Sequence, residues 1–235
     1  MKTIGLLGGM SWESTASYYR ILNQETKRRL GGLHSASVVL HSVDFEPIER
    51  LQHAGRWDET ARILASAARG VEAAGADFLL ICTNTMHRVA PEIEAAVDIP
   101  LLHIADATGE TIVQQGLKRV ALLGTRFTME QPFYRGRLEE RFGLDVLVPD
   151  PAERERIHRV IYDELCLGSI RGDSRDDYLR IIAGLGRRGA EGVILGCTEI
   201  ALLLEQEDTG LPLFDTTRLH ALKAVDLALA GDTPG

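Results

Sequence analysis

Two separate motifs of this chain recur at almost the same distance along the sequence. The repeated pairs are IGLLGGMSWE at 4–13 with VALLGTRFTME at 120–130, and GADFLLICTNT at 75–85 with GAEGVILGCTE at 189–199. Gly8 and Gly124 are 116 positions apart, and Cys82 and Cys197 are 115 positions apart. Two motifs displaced together indicate an internal duplication. The repeat therefore predicts two similar lobes.

Short apolar runs alternate with amphipathic stretches along the whole chain. The predicted strands are 3–7, 36–42, 77–82, 100–104, 118–123, 144–148, 192–196 and 212–214. The predicted helices are 13–29, 56–74, 86–96, 106–115, 129–142, 152–166, 174–187, 199–206 and 216–230. This alternation is typical of βαβ units with a mostly parallel sheet that is buried on both faces.

The alternation and the repeat together predict an α/β fold of two lobes. Each lobe is expected to hold a mostly parallel sheet flanked by helices. We expect a pseudo-twofold axis to relate the lobes, with the site between them. The N-terminal lobe is predicted to comprise 1–98 plus 211–235, and the C-terminal lobe 99–210.

Composition excludes several classes of protein. The 235 residues carry a net charge of −8, which argues against nonspecific nucleic-acid binding. No run approaches the ~20 apolar residues of a membrane span, so no membrane association is expected. Lys2 leads directly into a strand, unlike a secretory signal. Three cysteines in a chain of this length predict reduced thiols and a cytoplasmic location.

The opening stretch GLLGGMSWEST, residues 5–15, has the form of an anion-binding turn. A buried strand breaks into glycines, which let a ligand approach the backbone, and then enters a helix whose N–H groups attract negative charge. Its spacing, G-x-x-G-G, matches neither the dinucleotide fingerprint nor the P-loop. We therefore expect the carboxylate of a small molecule rather than a pyrophosphate.

Cys82 and Cys197 are the candidate catalytic residues. Each ends a predicted strand, and ligand sites of parallel sheets lie outside the carboxyl ends of the strands. A helix N-terminus can lower a thiol pKa into the range of proton transfer. Two facing thiols could remove a proton from one face of a carbon acid and return a proton to the other. The predicted outcome is inversion at that carbon.

Small polar side chains surround the two cysteines in the sequence. They are short neutral donors suited to holding a carboxylate, although Ser, Thr and Asn are equally the preferred caps of helices. The set comprises Ser11, Thr83, Asn84, Thr85, Thr125, Thr128 and Thr198.

Other cysteine and cofactor chemistries fit the sequence less well. A Cys–His hydrolase would need a histidine beside Cys82; His87 lies off its helical face, although His103 or His220 could approach in space. No metal site is predicted, because the spacings C-x₂-C and H-x₃-H do not occur. Pyridoxal phosphate requires a lysine Schiff base, and no lysine lies at the carboxyl end of a strand. The prediction is a mechanism without a cofactor.

The combination of motifs resembles the aspartate/glutamate racemase family. The matching stretches are IGLLGGMSWEST, ICTNTMH around Cys82, LLGTRFTM in the second lobe and ILGCTEI around Cys197. The resemblance runs nearly end to end. It implies two facing α/β lobes with one catalytic cysteine from each, no cofactor, and a dimer. Cys-Thr-Glu at 197–199 resembles the aspartate and broad-specificity racemase branch rather than the glutamate racemases.

The resemblance also implies roles for several residues. Asn84, Thr85, Thr125 and Thr198 match positions that bind the substrate α-carboxylate in the family, and the turn at Met10–Ser11 lines the same pocket. Glu199 matches a position that either orients Cys197 or caps the following helix. Arg50 matches an arginine that binds the second carboxylate of aspartate; it could equally be an ordinary surface arginine. The segment 152–166 lacks the lysine that assists in some aspartate racemases.

We therefore predict a cofactor-independent amino-acid racemase, a cytoplasmic isomerase that acts on aspartate or glutamate and generates D-amino acids. The alternatives are a broad-specificity racemase, a cis-trans isomerase of the same fold in which a thiol adds to the substrate, and a non-catalytic amino-acid-binding protein. The expected partners are a small amino-acid substrate and a second copy of the chain.

Overall fold

The computed structural model describes residues 1–230, in which the chain forms two compact units. The first comprises Met1–Ile104 together with the chain from His220, and the second is Ala105–Leu219. Each unit contains its own parallel sheet. Among the described residues, no helix has both the length and the apolar character that a membrane crossing requires.

The first unit is built around a three-stranded sheet. Its elements are β1 Ile4–Gly8, α1 Trp12–Leu30, β2 Val38–Ser42, α2 Phe45–His53, α3 Trp57–Ala73, β3 Phe78–Ile81, a 3-10 helix Thr85–Val89 and α4 Ala90–Glu94. The strand order is β2-β1-β3, and both pairings are parallel. Ile4 of the central strand pairs with Val38 on one side and with Phe78 on the other.

Both faces of the first sheet are buried, because successive side chains of a strand point to opposite faces. Leu7 packs in one apolar cluster with Leu64 of α3. Its neighbour Leu6 packs in another cluster with Tyr18 of α1 and Val225 of the C-terminal helix. This explains why β1 is a continuous apolar run rather than an alternating one.

The second unit holds a four-stranded sheet. Its elements are α5 Ile104–Gln114, β4 Arg119–Gly124, α6 Arg126–Glu130, α7 Pro132–Phe142, β5 Asp145–Leu147, α8 Pro151–Asp163, a 3-10 helix Leu165–Leu167, α9 Gly172–Arg187, β6 Val193–Gly196, 3-10 helices Thr198–Leu202 and Gln206–Asp208, β7 Leu213–Asp215 and α10 Thr216–Leu229. The strand order is β5-β4-β6-β7, and all pairings are parallel. Helix α10 begins in this unit and continues into the first.

The two sheets have the same local arrangement. β4 lies between β5 and β6, as β1 lies between β2 and β3. The strands that precede the two cysteines, β3 and β6, therefore each pair with the first strand of their own sheet, β1 and β4. The predicted fold class, two helix-flanked parallel sheets, is confirmed.

The structure differs from the predicted boundaries at the C-terminal segment. Strand β7 pairs with β6, so the segment from 211 to Leu219 belongs to the second unit rather than to the N-terminal lobe. Of this C-terminal segment, only the chain from His220 belongs to the first unit. A short strand cannot be assigned to a sheet without its pairing partner, which sequence does not reveal. Residues 231–235 of the predicted lobe lie outside the described residues.

The predicted strand at 100–104 is wrong. Leu101 forms one isolated bridge with Leu79, and Ile104 already begins α5. The predicted helix at 199–206 is likewise replaced by two short 3-10 helices. Helix α2 was not predicted, although Asp44 caps it by accepting a hydrogen bond from the backbone N–H of Glu46.

The glycines of the opening turn allow close packing of the chain itself. A Cβ at Gly8 would lie 2.4 Å from Cγ2 of Thr15. A Cβ at Gly9, where φ is +95°, would lie 2.1 Å from the carbonyl oxygen of Val43. The N–H of Gly9 donates to Thr15 Oγ1 at 2.8 Å. The two glycines therefore let the turn pack against α1 and the segment after β2.

Candidate active site

Cys82 lies directly after β3 and is anchored by its backbone on both sides. Its N–H donates to the carbonyl of Leu7 at 2.9 Å, and its carbonyl accepts from Ser14 Oγ at 2.9 Å. The side chain is completely buried in the apolar cluster that contains Tyr18. Ser14 was not predicted as a site residue. The only signal for it in the sequence is its position in the first turn of the helix that follows the glycine turn.

The turn Met10–Ser11 lies beside this anchored cysteine. Ser11 caps α1, because its Oγ accepts from the N–H of Ser14 at 3.2 Å, and Ser14 in turn holds Cys82. Met10 and Ser11 are both buried. Ser11 therefore both caps α1 and lies one hydrogen-bonded residue away from Cys82.

The segment after Cys82 folds back as a short 3-10 helix. Asn84 and Thr85 are buried, and Thr83 is half-buried. The imidazole of His87 lies 2.8 Å from the carbonyl of Thr83. His87 was considered only as the partner of a hydrolytic cysteine, and its bond to this turn could not be seen from the sequence.

The side chain of Cys197, directly after β6, makes a specific polar contact. Its Sγ–H donates to Oε2 of Glu199 at 2.9 Å, and the hydroxyl of Thr198 donates to the same oxygen at 2.7 Å. Glu199 is buried. Of the two roles open for Glu199, this contact supports orientation of Cys197, because the carboxylate is directed at the thiol.

Thr125 and Thr128 follow β4, the strand that pairs with the strand before Cys197. Gly124 at the end of β4 pairs with Gly196 at the end of β6, so Thr125 and Cys197 follow neighbouring strand ends. Thr125 caps α6 by accepting from the N–H of Thr128 at 3.3 Å, and the two hydroxyl oxygens are 3.2 Å apart. Both threonines are buried.

Burial raises the pKa of both thiols, contrary to the prediction that helix N-termini would lower them. For Cys82, burial is the cause. For Cys197, burial is the largest cause, and the negative charge of Glu199 and proximity to Cys166 raise the pKa further. Only five-residue 3-10 helices follow the two cysteines, so the favourable helix dipole is weak. Both groups are therefore thiols in the free protein at neutral pH.

Arg50 lies on the solvent side of α2. Ile48 and Gln52 form the buried face of this helix, and Arg50 projects from the opposite face. Its side chain is 75% exposed, and its guanidinium forms an ion pair with Glu46 at 2.8 Å. In this arrangement Arg50 has the environment of a surface arginine.

Cys166, the third cysteine, lies just beyond α8. It is half-buried on the 3-10 helix Leu165–Leu167 and interacts electrostatically with Cys197.

Each unit thus assembles part of the predicted site. Around Cys82 the first unit gathers Met10, Ser11, Thr83, Asn84 and Thr85. Around Cys197 the second unit gathers Thr125, Thr128, Thr198 and Glu199. The sequence repeat is therefore matched by a repeated placement of a thiol and hydroxyl groups at the carboxyl ends of paired strands.

The family model of the Asp/Glu/hydantoin racemases matches residues 7–224, which include every one of these positions. The chain belongs to this family. Members of the family are racemases, which are isomerases that act on small amino-acid substrates, and the predicted family and enzyme class are confirmed.

Individual racemases of the family support the same assignment. The chain is 56% identical to a candidate Asp/Glu racemase from Yersinia pestis, with a TM-score of 0.92 and coverage of 97% of this chain and 100% of the other. It is 35% identical to an aspartate racemase homologue from Pyrococcus horikoshii, with a TM-score of 0.84 and coverage of 97% and 99%. It is also 22% identical to the broad-specificity amino-acid racemase RacX of Bacillus subtilis, with coverage of 97% and 98%.

Buried ionisable groups predict that this racemase loses stability in alkali. Burial raises the pKa of Cys82, Cys197, Tyr134 and Tyr178. In the unfolded chain, thiols lose their protons near pH 8.5 and tyrosines near pH 10, whereas the folded protein keeps them. These four groups therefore leave the free energy of unfolding unchanged from pH 7 to about pH 8.5 and lower it above that pH, by up to about 1.4 kcal/mol per pH unit for each group.

Urea unfolding at pH 7, 9 and 10.5 measures this loss. The double variant C82A/C197A serves as the control, because it should lose the decline between pH 8.5 and 10 and keep the decline above pH 10. A constant free energy of unfolding across the range would contradict the prediction.

Proposed function

We propose that the protein is a cofactor-independent amino-acid racemase in which Cys82 and Cys197 exchange protons with opposite faces of the substrate α-carbon. The observation that carries this proposal is the matched placement of the two thiols after β3 and β6, which pair with β1 and β4, the first strands of their own sheets. A repeat that duplicates the thiol supplies one acid/base group for each face.

The raised pKa values define the starting state of the proposed reaction. With both sulfurs protonated, either can act as the acid, but the one that acts as the base must first lose its proton. Glu199 is placed to take the proton of Cys197, since the thiol already donates to Oε2. The Cys197 thiolate then accepts the α-proton, and the resulting carbanion receives a proton from the thiol of Cys82.

The proton count of this step balances. Glu199 gains one proton, Cys197 ends as a thiol, and Cys82 ends as a thiolate. The enzyme returns to its starting state when one proton passes from Glu199 to Cys82 through solvent. The position that corresponds to Glu199 in the first unit is Asn84, so the two directions of the reaction differ in how the base is prepared.

The substrate carboxylate needs hydrogen-bond donors, because negative charge develops on the α-carbon and its carboxylate during deprotonation. We propose that Asn84, Thr85, Thr125 and Thr198 bind this carboxylate, with Ser11, Thr83 and Thr128 supporting the same pocket and Met10 lining it. Thr83 and Thr198 are half-buried and the others are buried, which supports this role because hydrogen bonds to charge are stronger away from water.

Acidic amino acids are the proposed substrate class, and a broad-specificity racemase is the second candidate. The ion pair of Arg50 with Glu46 favours the broader specificity. Arg50 is the cation expected to bind the second carboxylate of an acidic substrate, and here it is already paired with Glu46 at the surface. Incubation of L-aspartate, L-glutamate and L-alanine with the protein, followed by circular dichroism, tests both. Decay of ellipticity to zero supports racemisation, whereas tight binding with a stable signal supports a non-catalytic binding protein. A change to a product without an α-amino acid signal supports the isomerase with covalent thiol addition.

The substitution Arg50→Ala tests the choice between these substrates. If Arg50 leaves Glu46 to bind the second carboxylate, kcat/KM falls about 10- to 100-fold for aspartate and stays unchanged for alanine. From the exposed position of Arg50, we expect a change of less than about threefold for both. Glu46→Gln is the matched control, because it frees the guanidinium without removing it. A selective loss for aspartate would contradict our expectation and assign Arg50 to the substrate.

We further propose a homodimer in the cytoplasm. The family resemblance supports a dimer, and a mechanism that needs two reduced thiols supports a reducing compartment. Light scattering of the purified protein tests the first, since a single mass of 25.8 kDa would exclude a dimer.

A further inference from the structure

His87 connects the turn that carries Cys82 to Ile104, where the N-terminal segment of the first unit ends. Its Nδ1 lies 2.8 Å from the carbonyl oxygen of Thr83, and its Nε2 lies 3.2 Å from the backbone nitrogen of Ile104. A carbonyl can only accept and a backbone N–H can only donate. Nδ1 therefore carries the proton and Nε2 accepts, which defines His87 as a neutral imidazole in one tautomer.

The surroundings of His87 hold the ring in this orientation. The side chain is 1% exposed, and the ring of His103 packs against it with 4.4 Å between centroids. The ring of His220 lies 6.0 Å away and is itself bonded to Tyr18 and to the carbonyl of Leu102. Because both ring nitrogens of His87 are occupied by backbone groups, the imidazole is available neither as a metal ligand nor as the general base of a hydrolase.

We propose that His87 is a positioning residue for Cys82. The backbone of Cys82 is bonded at its own N–H and carbonyl, and the next peptide is bonded through the carbonyl of Thr83 to His87. Three consecutive bonds thus hold the direction in which the Cα–Cβ bond of Cys82 projects. The position equivalent to His87 in the second unit is Leu202, which is 52% exposed. Cys197 therefore has no histidine at the position from which His87 holds the turn after Cys82.

This inference rests on the proposed two-thiol function, and two substitutions separate the bonds of His87. In His87→Asn the side-chain amide reaches the position of Nδ1, so the bond to Thr83 is kept and the bond from Ile104 is lost. In His87→Gln the amide reaches the position of Nε2, so the bond from Ile104 is kept and the bond to Thr83 is lost. The control, His220→Gln, keeps the bond to Leu102 and loses the bond from Tyr18 in the same histidine cluster.

The readout is the loss of the α-proton NMR signal in D₂O, measured from each enantiomer of the substrate separately. The variant Cys82→Ser first identifies the enantiomer whose exchange depends on Cys82. We expect His87→Gln to slow exchange of that enantiomer about 10- to 100-fold, as a displacement near 1 Å does, and to change the other less than about threefold. His87→Asn and His220→Gln should exchange both enantiomers within about threefold of the unmodified protein.

A second readout follows the bonds without catalysis. Protection of the Ile104 amide against hydrogen exchange should fall in His87→Asn and persist in His87→Gln. If His87→Gln does not fold, His87→Asn still decides, because selective loss of the Cys82-dependent exchange in this variant would overturn the proposal.

Other outcomes are equally decisive. Equal slowing of both enantiomers in His87→Gln, or no slowing, would overturn the role of His87 and leave the racemase intact. Absence of exchange from either enantiomer in the unmodified protein would overturn the two-thiol function, and the role of His87 with it.

Discussion

Replacing Cys82 or Cys197 by serine is expected to reduce racemisation about 10²- to 10⁴-fold, the range that general acid–base catalysis contributes. A serine hydroxyl keeps the shape of the side chain but is a far weaker acid than a thiol. Each single variant should retain α-hydrogen exchange from one enantiomer, because the remaining thiol still reaches one face of the α-carbon. Exchange should then occur with retention of configuration.

Circular dichroism for inversion and proton NMR in D₂O for exchange separate these two effects. Cys166→Ser is the matched control, since it makes the same chemical change at a half-buried cysteine outside the proposed chemistry. Its racemisation rate should stay within about twofold. The two-thiol mechanism would be contradicted by exchange that persists in the double variant C82S/C197S, or by single variants that lose exchange from both enantiomers.

Replacing Glu199 by glutamine is expected to have the next largest effect. The Cys197 thiol donates to this carboxylate, which we propose accepts its proton, and an amide cannot take that proton. Exchange of the enantiomer that Cys197 deprotonates should fall about 10²-fold, whereas exchange of the other enantiomer should change less than about threefold.

The pH dependence of the residual activity provides an independent check. The negative charge of Glu199 raises the pKa of Cys197, because it repels the thiolate. Removing that charge lowers the pKa, so the rise of the residual rate with pH should move to lower pH in Glu199→Gln. Glu207→Gln, which removes one exposed carboxylate of the same unit, controls for net charge and should leave the profile in place.

Each outcome for Glu199→Gln assigns a different role. A shifted profile with a full maximal rate would show that Glu199 only raises the pKa of Cys197 and does not accept its proton. If both the pH profile and the maximal rate of exchange were unchanged, Glu199 would have no role in the reaction. The conservative variant Glu199→Asp keeps a proton acceptor at a longer distance, and we expect it to restore part of the lost exchange.

Much of the fold could be predicted because its signals are local. The continuous apolar run of β1 and the glycine turn after it lie within a dozen residues, and Ser11 caps α1 where the sequence places a capping residue. Because the motif is duplicated, the prediction made for one lobe also applies to the other. Prediction failed where pairing over long distances decides, as for 100–104, which forms a single bridge, and for β7, which joins the second sheet.

The candidate site divides in the same way. Cys82 and Cys197 could be selected because each follows an apolar run and each recurs in the repeat. The environment of Arg50 could not be predicted in this way. Its place on the exposed side of α2 depends on how the helix is rotated about its axis, that is, on which face is buried. Sequence similarity to an arginine of the family carries no information about that rotation.

The sequence by itself determined the kind of protein: a duplicated α/β chain with one cysteine at the end of a matched strand in each half. Hydrophobic period and turn residues are properties of neighbouring positions, and a repeat is found by comparing one stretch of sequence with another, so all three can be read without coordinates. Only the tertiary structure decided the protonation of the two thiols and their polar partners. Burial raises both pKa values, and His87 meets the N–H of Ile104, 17 positions away, because the chain returns to the same edge of the sheet. Burial and electrostatic interaction depend on groups that packing brings together, and local sequence does not specify them.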